Sequence, residues 1–220
     1  MDANRLVNIL TNEYYKLDSE FGFDSSAVKL RIDTWLKNLQ YMCDLVYFNH
    51  VKTVRDLMDN IELDYQTYES STMCSKYVMT SSQTVVQFIV VPYERIYQIL
   101  AETKATDEEI EEYFKLCLRH EVGHILADTS AFNNYTTIQE AIEALNYSSY
   151  RAAIAYNKFA ANLYELYEED ETISEYEFQR KLISRYYSCA PERLANRLAK
   201  VNTRRLIDLE LKVRLGLTKR

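Results

Sequence analysis

The sequence predicts a mostly helical α+β protein with one small β region of about three strands. Two observations carry this. Only three Gly and two Pro occur in 220 residues, too few turn formers for a many-stranded β fold. Apolar residues recur at helical spacing along most of the chain, whereas residues 62–91 alone are rich in the Tyr, Thr, Ser and Val that favour strands.

Residues 3–18 form the first expected helix, with Leu6, Ile9, Leu10 and Tyr14 on one side. "FGF" at 21–23 ends it, and Asp24 is a cap for a second helix running to about Val46. That helix would carry Val28, Ile32, Trp35, Leu36, Leu39, Met42 and Cys43 along one side. A short helix is expected near 52–60. "KYVMT" and "TVVQFIVV", bounded by "SSQ" and Pro92, read as strands, and "LDYQTY" as a third. "YERIYQILAE" is helical again. "ATDEEIEEYFKLCLRHEVGHILAD" follows as a helix whose start is marked by Thr106 and Glu109, a capping box. Asp107, Glu108 and Glu109 add negative charge at the positive end of its dipole. Helices near 136–147, 149–168 and 173–187 come next. A last one starts at Pro191, a residue suited to a first helical turn, and runs to about Val213.

The net charge of −7 argues against a nucleic-acid surface as the main function. The basic end "RRLIDLELKVRLGLTKR" fits cations near helix C-termini. Cys43, Cys74, Cys117 and Cys189 form no C-x-x-C pair, as expected of reduced thiols in a cytoplasmic protein. No signal peptide is read at the N-terminus, and no apolar run is long enough to cross a membrane.

The chemistry concentrates in "LRHEVGHILAD". Two of the three histidines, His120 and His124, stand four apart with Glu121 directly after the first. Positions i and i+4 share a helix face, so two imidazoles can grip one Zn²⁺ from the same side. Glu121 lies about 100° round the helix. There it can reach the open coordination position without being a ligand, as a general base and acid must. A chance pair of surface histidines is the bland alternative. Gly123 costs about 1 kcal/mol relative to Ala inside a helix, which points to close approach by a neighbouring backbone.

"HEVGH" resembles the active helix of zincin metallopeptidases. No histidine follows His124, so the resemblance is to gluzincins, whose third ligand is a Glu on a later helix, supported by an Asn or Asp four residues on. Two positions compete for that role. "QEAIEALNY" offers Glu140, but the position four after it is Ala144. "YYSCAPERLANRLA" offers Glu192 with Asn196 four residues on, and resembles the second helix of small ImmA/IrrE-like gluzincins and minigluzincins. Glu192 is preferred, with Glu140 the alternative. Each also has a bland reading, as dipole-favoured or solvated helix acids. Small residues at Ala195 and Ala199 suit close packing against the HEVGH helix.

The resemblance implies a zincin-like core at 61–220 with a helical insertion at about 129–188, behind an N-terminal helical region at 1–60. It also implies an edge strand beside the cleft able to pair with an extended peptide, with "TVVQFIVV" the candidate for part of that sheet. Tyr186 and Tyr187 are possible oxyanion stabilisers. Asp128 is either a supporting residue or part of a helix-ending loop. His50 is more simply a surface histidine. The function so implied is a zinc-dependent metallohydrolase, a peptidase acting on peptide or protein substrates. The rival is a structural or interaction protein with a zincin-like helix, with or without zinc. A fourth protein ligand would favour the rival, because structural zinc sites are closed.

Overall fold

A computed structural model describes residues 1–22, 28–33, 72–79, 85–170 and 172–217. Seven helices carry the described chain. Helix α1 spans Ala3–Phe21 and buries Leu6, Leu10, Tyr14 and Leu17 along one stripe. Asp2 caps its start by accepting from the Arg5 amide, and Gly22 ends it at φ 64°, a left-handed conformation that suits glycine. Helix α2 is Tyr93–Glu102. Helix α3, Asp107–Asn134, begins at the expected capping box: Thr106 accepts from Glu109 N while Glu109 accepts from Thr106 N. Helix α4 covers Ile138–Glu169 and α5 covers Glu175–Ser188. The last two are α6, Ala190–Leu198, and α7, Thr203–Leu217.

The expected α+β zincin-like core built on a three-stranded sheet is overturned. The fold is mainly helical. The extended segments are short: β1 at Val28–Asp33, β2 at Cys74–Met79 and β3 at Val85–Pro92. At the backbone level they are ordered β1–β3–β2, β1 parallel and β2 antiparallel to β3. This patch beside the helices does not set the class, because from Tyr93 to Leu217 the chain is a near-continuous succession of helices. "TVVQFIVV" lies in the middle of the order, so it is not the edge.

Other expectations are also corrected. Residues 28–33, predicted helical, are extended: Val28, Leu30 and Ile32 alternate as well as they repeat at helical spacing, and pairing with β3 decides the outcome. The predicted pair of helices at 136–147 and 149–168 is one helix, since Ser148 and Ser149 do not break it. The predicted long terminal helix is two, divided where Lys200 takes φ 55° and Val201 N donates to Asn196 O. The rest of the predicted second helix, the helix near 52–60 and the strand "LDYQTY" lie outside the described residues.

The main core gathers α1, α2, α3, α5 and α7 with Ile89 and Val91 of β3. Phe114, Leu118 and Ile125 give α3 its place at the centre. A smaller cluster of Leu163, Phe178 and Leu182 holds α4 to α5. Arg119 ties three elements together, bonding Glu20 of α1 and the Ala199 carbonyl just past α6. The three described cysteines, Cys74, Cys117 and Cys189, are free thiols. No described helix is long and apolar enough to cross a membrane.

Candidate metal centre

The site is made by α3 crossing α6. Gly123 sits at the crossing, where an added Cβ would lie 2.1 Å from the Ala195 carbonyl oxygen. Ala195 and Ala199 are both fully buried. Side chains at these positions would hold the helices apart, so small residues set the distance at which their polar groups meet.

At that distance His120, His124 and Glu192 converge. Glu192 Oε2 lies 3.0 Å from His120 Nε2 and 3.1 Å from His124 Nε2, and the two nitrogens are 3.2 Å apart. Tetrahedral Zn²⁺ with bonds of about 2.0–2.1 Å separates its donors by roughly 3.3–3.4 Å. The triangle therefore matches a divalent ion after small outward shifts, and two nitrogens with one carboxylate oxygen are the donor types zinc takes. Among the described residues this is the one such cluster found, and it contains three protein donors.

Asn196, one turn beyond Glu192, places its Oδ1 2.8 Å from His120 Nδ1. Nδ1–H donates to that oxygen, which turns Nε2 toward Glu192 and His124 and, in the neutral Nδ1–H tautomer, would leave its lone pair for a metal. A ligand histidine needs this tautomer, and a hydrogen bond to its far nitrogen is how proteins hold it. Tyr187 packs its ring edge-on against His120, with centroids 5.3 Å apart. Its hydroxyl donates to Glu210 Oε2 at 2.6 Å. Arg214 holds the other oxygen of Glu210. The Tyr187 hydroxyl is thus committed to Glu210, so Tyr187 shapes the site by packing and is not an oxyanion donor. Tyr186 keeps that possibility. Burial, then the Glu192 and Glu121 charges, push its phenol well above the ordinary value.

Glu121 is buried beside the cluster and is not one of its three donors. The Ser75 amide of β2 donates to its Oε2 at 2.7 Å. This contact fixes the carboxylate's orientation. Nothing in the side chain of Ser75 announces a backbone role, so the sequence carried no signal for it. The same segment reaches α4 through Tyr77, whose hydroxyl donates to Asn146 Oδ1 at 3.2 Å. Glu140 is not brought to the site: it is exposed and completes the capping box that starts α4, accepting from Thr137 N. Asp128 lies within α3, because the helix continues to Asn134 rather than ending in a loop. His50 lies outside the described residues.

The electrostatics describe a pair held together by a proton. Burial alone would lower the His124 pKa. The Glu192 hydrogen bond and the Glu121, Glu192 and Asp128 charges outweigh it and raise the value to about 9. For Glu192, burial works upward, and the His120 and His124 hydrogen bonds and charges outweigh it, lowering the value to about 2. The sign follows for each group. The raised His124 contributes stability that is complete below its ordinary value of 6.5 and is lost as pH rises through about 9. The depressed Glu192 contributes stability present above 4.5 and lost as pH falls through about 2. Metal-stripped protein should therefore melt at progressively lower temperature from pH 6.5 to 9. In His124→Gln that slope should be absent. An identical slope in the variant would refute the assignment.

Comparison with family profiles, curated proteins and solved structures finds no match to this chain.

Proposed function

We propose that this chain is a zinc-dependent metallohydrolase, most simply a peptidase resembling the gluzincins in its ligand set. The observation that carries the reading is the convergence of the His120, His124 and Glu192 donor atoms to within 3.0–3.2 Å of one another. Asn196 supports it by setting the tautomer of His120. Zinc bound there would supply a Lewis acid that activates water and polarises the carbonyl under attack. Glu121, oriented by the Ser75 amide, takes a proton from the attacking water and returns it to the leaving amine. The products are two peptide fragments, a carboxylic acid and an amine. Tyr186 stands beside the same carboxylates and is the residue available to donate to the oxygen on which charge develops.

The second reading is a zinc tie between α3 and α6 with no catalysis, and the closeness of those helices at Gly123 favours it. It needs a closed coordination shell. The three-donor cluster leaves a fourth position for water or substrate, which favours catalysis.

Metal analysis of purified protein tests the site. Wild type should hold about one zinc per chain, and His120→Ala and Glu192→Ala well under a tenth of that. Glu140→Ala should match wild type in zinc and lose only cap stability, about 1 kcal/mol. Zinc lost in Glu140→Ala and kept in Glu192→Ala would reverse the ligand assignment. Wild type that never binds zinc would end the proposal.

A further inference from the structure

Next to Asn196, α5, α6 and the start of α7 line an open pocket of about 380 Å³. Arg193 and Arg197 line it, together with the hydroxyl residues Ser184, Ser188 and Thr203, and no acidic residue does. The two arginines are exposed and stand one helical turn apart on α6, where like charges repel. Neither has an acidic partner among the described residues. Asn196, only 4% exposed, also borders the pocket. One end of its amide is spent on His120, while its Nδ2 is buried without a hydrogen-bond partner. The guanidinium groups of Arg193 and Arg197 are donors without an acceptor, whereas Ser188 already donates to the Arg185 carbonyl and Tyr187, Val201 and Ile207 make the rest of the wall apolar.

The geometry points to this pocket as a binding site for a tetrahedral phosphate oxyanion, free or as a monoester. Guanidinium forks match phosphate oxygens two at a time. The ligand offsets the repulsion between Arg193 and Arg197, and the Ser184 and Thr203 hydroxyls line the same pocket as donors for its remaining oxygens. The site stands apart from the proposed zinc and does not depend on it.

Calorimetry with inorganic phosphate titrated into the full chain, at constant ionic strength in chloride, tests this. Saturable one-to-one binding is expected, with Tm rising by about 5 °C at a hundredfold excess over Kd. The double variant Arg193→Gln/Arg197→Gln should bind at least roughly tenfold more weakly. Arg204→Gln, an exposed arginine outside the pocket, should bind as wild type does. A parallel titration with O-phosphoserine separates the sources: tighter binding marks a monoester ligand, weaker binding the free ion. Glu192→Gln, which cripples the metal centre, should keep phosphate binding, so failure of one site is distinguishable from failure of the other. Binding that does not saturate, that is equal in the double variant, or that disappears with Glu192→Gln overturns the inference.

Discussion

Glu121→Gln is expected to leave zinc content and melting temperature close to wild type while hydrolysis of an unstructured test protein falls by about 10²–10⁴-fold, the usual contribution of a positioned general base. Gln has the same shape as Glu and keeps an oxygen that can accept from the Ser75 amide, so the local structure has no reason to change. What it loses is the ability to take a proton near neutral pH. Cleavage and metal content are therefore predicted to part company in this variant, whereas in His120→Ala they should fall together. Cleavage unchanged in Glu121→Gln would remove the base from the mechanism. Zinc lost with it would mean that Glu121 holds the site together and does not carry the chemistry.

Gly123→Ala should be strongly destabilising for the addition of a single methyl group. Helix propensity alone favours Ala by about 1 kcal/mol. Against this, the new Cβ would sit 2.1 Å from the Ala195 oxygen and 2.6 Å from its carbonyl carbon. Those are backbone atoms, and no rotamer change relieves the clash. Overpacking a tight contact costs about 1–3 kcal/mol and occasionally more, and here the helix itself must move. A net loss of about 2 kcal/mol is expected, which lowers Tm by roughly 4–8 °C in a chain of this size. The shift also carries Glu192 and Asn196 away from His120, so zinc affinity should fall at least tenfold, an order that small misplacements of ligands and their supports produce. Thermal melts with and without zinc measure both. A stabilised Gly123→Ala would show that the helices have room to spare and that their contact does not set the ligand distances.

Part of this site could be read before any fold was known. His120, Glu121 and His124 belong to one helix, and 3.6-residue geometry converts their spacing directly into a shared face. The start of that helix was equally legible, because a capping box is a contact between residues three apart. The same signature lay in "TIQE" at 137–140. It accounts for Glu140 as a cap and would have counted against it as a ligand. Residues 28–33 carry an ambiguous pattern: apolar Val28, Leu30 and Ile32 alternate with charged Lys29, Arg31 and Asp33 while Val28 and Ile32 also fit helical spacing, and a strand becomes the better choice only when a partner such as β3 is present. The fold class failed for a related reason. Strand-forming composition at 62–91 announced a sheet, but how much of the molecule a sheet organises depends on what packs around it.

By itself the sequence determined the helical spacing that sets two imidazoles and a carboxylate on α3, the caps that start α3 and α4, and the small residues at 123, 195 and 199 that permit close contact. Those are matters of local geometry, set by residues a turn or less apart. Only the tertiary structure decided that Glu192 and not Glu140 meets the histidines, that a Ser75 amide aligns Glu121, and that Tyr187 turns its hydroxyl to Glu210. Each of these joins groups from separate elements, and their meeting depends on how the helices pack, a property of the whole core that no short window of sequence contains.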